Sequence, residues 1–216
     1  MSRETTHKIA FRAQNLLIEG ILHDAVLAAA PPASGVPGAV VCHPHPLTGG
    51  DISNNVVLAL CDALAARGFA ALRFNFRGVG RSEGEHGGGR DERFDVAAAL
   101  AFLAAQPGVH PQRLFLAGYS FGAAVVLTTE YPGLAALAAV SPPLTGGLNV
   151  SLSCPTLLVF GDADRLAPAS ALDTSGLEMP QGSRVIVIPG ADHFWWGHED
   201  EMTGEVVTFF RSCLAT

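Results

Sequence analysis

Basic residues are scarce in this chain: 13 Lys and Arg stand against 20 Asp and Glu, for a net charge of −7. No basic face is available to neutralise a phosphate backbone, which argues against nucleic acid as a partner. Long hydrophobic runs are missing too. The longest, such as 96–105, are well short of a membrane span. The N-terminus, Met1 to Lys8, is polar and has no apolar core of a secretory signal, so a soluble, cytoplasmic protein without a membrane partner is expected. Cysteine is sparse and scattered. Cys42, Cys61, Cys154 and Cys213 show no C-x-x-C spacing and are expected to be small buried hydrophobes. No internal repeat and no G-K-[ST] phosphate loop occurs. The glycine-rich segment Arg77-Gly78-Val79-Gly80-Arg81-Ser82 lacks the third glycine of a dinucleotide loop, because position 83 is Glu, and it reads as a structural turn. His43 and His45 have the H-x-H spacing of metal ligands, but no third ligand clusters with them. Neither a metal nor a cofactor is expected.

Apolar residues, by contrast, are abundant. They make up 49% of 216 residues while charged residues make up 15%, which places the chain among compact globular proteins, here a single domain over 1–216. Two short strands, 8–14 and 16–22, are predicted to pair antiparallel. After a loop rich in Ala, Pro and Gly, strands alternate with helices. Strands are expected at 38–42, 70–76, 114–119, 134–140, 156–160 and 184–188, and helices at 52–67, 93–105, 121–131 and 199–213. Continuous apolar strands of this kind are buried on both faces. The pattern predicts an α/β fold of three layers around a mostly parallel sheet, with ligands bound outside the carboxyl ends of the strands.

One stretch organises the rest. Leu114 to Ala117 lead into Gly118-Tyr119-Ser120-Phe121-Gly122, and helix formers follow. This is a G-x-S-x-G strand-turn-helix, in which a sharp bend pushes the serine towards positive φ and side chains at the flanking positions would collide with the bend. Serine chemistry needs a base, an acid to orient it, and donors for an oxyanion. His193 is the one histidine that follows a strand after the bend with a short loop to hold it. Asp164 and Asp162 compete for the acid. Asp164 lies farther from the strand end, in a loop able to curve towards the imidazole, and is favoured. Asp162, beside Gly161, suits backbone hydrogen bonds, and Asp192 is too close to its neighbour His193 to orient it. The oxyanion donors are expected to be the N–H of Phe121 and that of His45, the sole backbone donor between Pro44 and Pro46.

These motifs, in this order, resemble the serine α/β-hydrolase superfamily over nearly the whole chain. His43-Pro44-His45-Pro46 stands where the family has its H-G-x-x oxyanion loop. Arg77 to Ser82 is similar to its R-G-x-G-x-S turn, and Gly161, Asp164 and Pro168 fit its G-x-x-D-x-x-x-P acid loop. The resemblance implies a Ser120-His193-Asp164 triad acting on a small acyl substrate. Only 141–155 separates two successive strands, too little for a multi-helix lid. A lidless member is therefore expected, similar to small carboxylesterases and to dienelactone-hydrolase-like proteins, with Ser120 where the latter use Cys. Leu47, Phe121, Phe194, Trp195 and Trp196 are candidates to line its site. A thioesterase or peptidase shares every catalytic residue. A non-catalytic binding module on the same fold, or a metal-dependent hydrolase through His43 and His45, are the alternatives from other classes.

Overall fold

A computed structural model describes residues 5–30, 32–144 and 152–214. Its strands are β1 (Thr6–Ala13), β2 (Leu16–His23), β3 (Val36–Cys42), β4 (Ala70–Phe74), β5 (Val109–Tyr119), β6 (Ala136–Val140), β7 (Thr156–Gly161) and β8 (Arg184–Ile188). They form one sheet in the order β1-β2-β4-β3-β5-β6-β7-β8. The β1/β2 and β2/β4 pairings are antiparallel and the rest parallel. The helices are α1 (Asn55–Ala65), α2 (Glu92–Ala104), α3 (Phe121–Leu127), α4 (Leu172–Ser175) and α5 (Glu199–Leu214). This is the mostly parallel α/β sheet read from the sequence.

Alternation along the central strands builds two cores. On β5, Leu114 and Leu116 face α2 and α3, joining Val40, Leu72, Leu100, Leu103 and Val126. Phe115 and Ala117 face the other way, joining Val41, Ala71, Val57, Leu60, Phe209 and Phe210 beside α1 and α5. Successive side chains of a strand point to opposite faces, so a strand covered on both sides reads as one apolar run. All four cysteines are free thiols, three of them buried. Among the described residues no helix is long and apolar enough to cross a membrane. The 141–155 segment is described only at 141–144 and 152–155.

Two helices are shorter than their periodicity predicts. At the start of α1, Ile52 is held out of the helix: its N–H donates to Asn75 Oδ1 at 2.8 Å and its carbonyl accepts from Arg73 Nη1 at 2.7 Å. Asn54 then caps the first turn through Val56 and Val57 N–H. At the end of α3, the hydroxyls of Thr128 and Thr129 bond back to the carbonyls of Ala124 and Val125, and the helix stops at Leu127. The Arg77–Ser82 turn is structural. Arg77 donates to buried Asp95 through Nε and Nη2, the latter at 2.8 Å, and Ser82 Oγ donates to Asn75 O.

His43, at the end of β3, is fully buried with both ring nitrogens engaged. Nδ1–H donates to Pro44 O at 2.7 Å, and Nε2 accepts the Phe76 N–H at 3.0 Å. Neither is free for a metal. Burial pulls its pKa down from 6.5 to about 4. Above pH 6.5 the ring is neutral in both states. As the pH falls towards 4, the unfolded chain takes up a proton that the folded one refuses. Stability is therefore expected to fall over that window by roughly 3 kcal/mol from this residue alone. Urea midpoints at pH 7, 6, 5 and 4 check this, with His43→Gln predicted to flatten the slope. Equal slopes in both proteins would remove His43 as the cause.

Candidate active site

Three strand ends build the site. Between β5 and α3, Ser120 sits at φ 52°, ψ −117°, a left-handed conformation for a residue with a side chain. The flanking glycines leave no alternative. A Cβ on Gly118 would lie 2.4 Å from Gly122 O, and one on Gly122 would lie 2.5 Å from Cys42 O. The bend thus packs backbone to backbone against the end of β3, and Ser120 Oγ projects beyond the sheet.

His193 meets it from the loop after β8. Its Nε2 is 3.0 Å from Ser120 Oγ and its Nδ1 is 2.8 Å from Asp164 Oδ2. Asp164, in the loop after β7, is almost fully buried. Its other oxygen, Oδ1, accepts the N–H groups of Leu166 at 2.9 Å and Ala167 at 2.8 Å. Burial pushes this carboxyl up, but the bonds from His193, Ala167 N–H and the Ser141 hydroxyl outweigh it, and the net shift is downward. The group is an anion at neutral pH. Asp162 faces elsewhere: its Oδ1 accepts Gly190 N–H at 2.7 Å. Asp192 shapes the histidine loop, accepting from the N–H groups of Phe194 and Trp195. An imidazole held between a carboxylate and a hydroxyl can take the hydroxyl proton while the carboxylate balances the charge that forms.

The two residues expected to supply oxyanion donors line the same cleft as Ser120 and His193. The rings of His45 and Phe121 are 4.9 Å apart. Among the described residues, no other group accepts from the main-chain N–H of either. The His45 loop is rigid: its carbonyl accepts from Thr48 N, Gly50 N and Thr48 Oγ1, and its Nδ1 from Leu47 N. The cleft has a volume of about 460 Å³. Pro44, His45, Thr48, Gly49, Gly50 and Asn54 line it together with Tyr119, Ser120, Phe121, Pro143, Leu166, His193 and Phe194. None of these is a carboxylate.

The candidates for substrate contact fare unevenly. Phe121 and Phe194 line the cleft. Trp195 does not, which corrects the expectation from sequence: it is 0% exposed in the core beside α5, where its indole is more favourably buried than at the surface. Trp196 and Leu47 are 71% and 74% exposed and lie outside the described lining.

Two supporting residues escape sequence reasoning. Tyr119, the variable position before the serine, donates its hydroxyl to the His193 carbonyl at 2.5 Å and so fixes the histidine loop. Ser141, buried at the end of β6 with φ 46°, accepts Trp195 Nε1–H at 3.1 Å, and its hydroxyl helps hold the Asp164 pKa down. Trp195 is therefore tied to Ser141 in the core and faces away from the cleft.

Comparison with known proteins agrees with this architecture. A model of the serine aminopeptidase S33 family matches residues 47–152, a span that includes Ser120. An uncharacterized protein of Rickettsia prowazekii, RP471, is 36% identical over 172 residues, covering 74% of this chain and 72% of that protein. For an uncharacterized protein of Mycobacterium tuberculosis the match spans 63% of its length. Among solved structures, XC6422 of Xanthomonas campestris, described as an α/β serine hydrolase without a lid, superposes with TM-score 0.83 at 25% identity. It covers 98% of this chain and 96% of that one. An α/β serine hydrolase homologue from Coxiella burnetii gives TM-score 0.81 at 29% identity, covering 96% and 99%.

Proposed function

The chain belongs to the serine α/β-hydrolase superfamily, and from that premise we propose that it is a carboxylesterase cleaving small acyl esters through Ser120, His193 and Asp164. The observation that carries this is the unbroken hydrogen-bonded chain from Ser120 Oγ through His193 to Asp164, set beneath an open cleft. In the proposed cycle, His193 Nε2 takes the Ser120 proton as Oγ attacks the acyl carbonyl. Asp164 holds the Nδ1–H tautomer and stabilises the imidazolium. The N–H groups of His45 and Phe121 bind the oxyanion. His193 then gives its proton to the departing alcohol, and a water activated by the same imidazole cleaves the acyl-enzyme.

The S33 description raises a second reading, an aminopeptidase. Such an enzyme must bind a free α-ammonium group, and a buried cation needs a carboxylate partner. The described lining of the cleft supplies none, and positions 145–151 contain no Asp or Glu either. Esters are favoured on that ground. A cytoplasmic location is part of the same proposal, supported by four free cysteines.

The test is labelling with a fluorophosphonate and mass mapping of the adduct, beside turnover of p-nitrophenyl acetate and butyrate and of an aminoacyl-p-nitroanilide. An adduct on Ser120 with ester turnover alone is expected. Hydrolysis of the anilide and not the esters would establish the peptidase reading. No adduct and no turnover would leave a binding module.

A further inference from the structure

Beyond the catalytic cleft lies a second cavity of about 320 Å³, and the Phe121 ring is a wall of both. Its floor is one face of α3, formed by Phe121, Ala124, Val125 and Thr128, which stack at helical spacing. From Phe121 to Thr128 the chain rises about 10 Å at about 1.5 Å per residue. Gly88, Gly89, Arg90 and Arg93 complete its lining, and both arginines are exposed. In a chain with net charge −7, the residues lining this cavity include two arginines and no Asp or Glu. Among the described residues neither arginine is paired with an acid. Arg93 Nε donates to Arg90 O, which leaves its terminal nitrogens open, and Glu130 lies in the next cavity beyond Arg93 without forming an ion pair.

Substrate orientation links this groove to one part of an ester. The leaving alcohol must take its proton from His193 Nε2, so it lies on the His193 side of Ser120. Neither His193 nor Phe194 lines the second cavity. That leaves the acyl arm the part of the cleft away from His193, which Phe121 borders and shares with the second cavity. Apolar atoms along α3 suit methylene groups, and a guanidinium suits a planar anion at the end of them.

We propose that the groove lined by α3, Arg90 and Arg93 is an acyl-binding subsite for esters whose acyl chain ends in a carboxylate, that is, monoesters of linear dicarboxylic acids. The proposal rests on the carboxylesterase reading and adds its substrate class. Binding involves no further chemical step: the distal carboxylate stays intact while Ser120 takes the acyl group from the alcohol.

The test compares p-nitrophenyl monoesters of adipic and suberic acid with p-nitrophenyl hexanoate and octanoate. The readout is the ratio of kcat/KM for acidic over neutral ester of equal length. In the Arg90→Ala, Arg93→Ala double variant this ratio is expected to fall about threefold to tenfold, the scale of charge contacts from two exposed side chains. Added salt should lower the ratio in the wild type and leave it level in the variant. An equal ratio in both proteins, or one insensitive to salt, overturns the proposal. Absence of turnover for all four esters would instead remove the carboxylesterase reading, and the subsite with it.

Discussion

Replacing Ser120 with alanine is expected to lower kcat for p-nitrophenyl acetate by about 10⁴-fold to 10⁶-fold, down to whatever the oxyanion donors and binding supply without a nucleophile. Stability should hardly change. Among the described residues Oγ has one hydrogen-bond partner, the ring of His193, and Ser120 is only partly buried. The Cβ remains, and with it the strain of φ 52°. A non-glycine residue in a sparsely populated backbone region costs on the order of 1–3 kcal/mol. Ser120→Gly removes both nucleophile and strain, so it should melt a few degrees above Ser120→Ala for a chain of this size, while being equally inactive. Kinetics and thermal melts of the three proteins decide it. If Ser120→Ala kept wild-type turnover, the nucleophile would be elsewhere. If Ser120→Gly were no more stable than Ser120→Ala, the bend would hold no strain for the function to offset.

The parts of this molecule legible from sequence are those whose causes are local. Runs such as 38–42 and 114–117 are apolar on both faces because helices cover both, and that burial leaves a mark on every residue. Gly118 and Gly122 are legible for a similar reason: only a residue without Cβ fits 2.4–2.5 Å from a carbonyl oxygen. Helix ends are less legible, because distant side chains set them. Nothing near Ile52 announces that Arg73 and Asn75 will hold its backbone out of α1. Ser120 and His193 could be placed by the order of loops along the chain, since each closes a different parallel strand. The tryptophans could not. Trp195 and Trp196 are identical neighbours, yet the positive φ of 63° at Trp195 turns one indole into the core and leaves the other in solvent. Tyr119 and Ser141 had no signal at all: their partners are 74 and 54 residues away in the chain.

Asp164 and Asp162 are two residues apart and chemically identical, so substituting each with asparagine separates the acid from its neighbour. Asp164→Asn is expected to cost about 10⁴-fold in kcat/KM. The orientation of the new amide follows from the loop. The N–H groups of Leu166 and Ala167 both point at Oδ1 and demand an acceptor there. The amide oxygen must take that position, which turns the NH₂ towards His193 Nδ1, where Oδ2 now sits. An NH₂ donor facing Nδ1 favours the tautomer protonated on Nε2, and that nitrogen can no longer accept the Ser120 proton. The Ser141 hydroxyl, which helps hold the carboxyl pKa down, can rotate to suit an amide, so the fold is expected to survive the change. Asp162→Asn keeps a carbonyl oxygen for the Gly190 N–H and is expected to change kcat/KM by no more than about threefold, within the range of an exposed neutral substitution. The check is kcat/KM for both variants across pH 5 to 10. Recovery of Asp164→Asn activity at high pH, as hydroxide substitutes for the disabled base, would accord with the tautomer argument. An Asp162→Asn loss equal to or larger than that of Asp164→Asn would move the acid to Asp162 and dissolve the site as drawn.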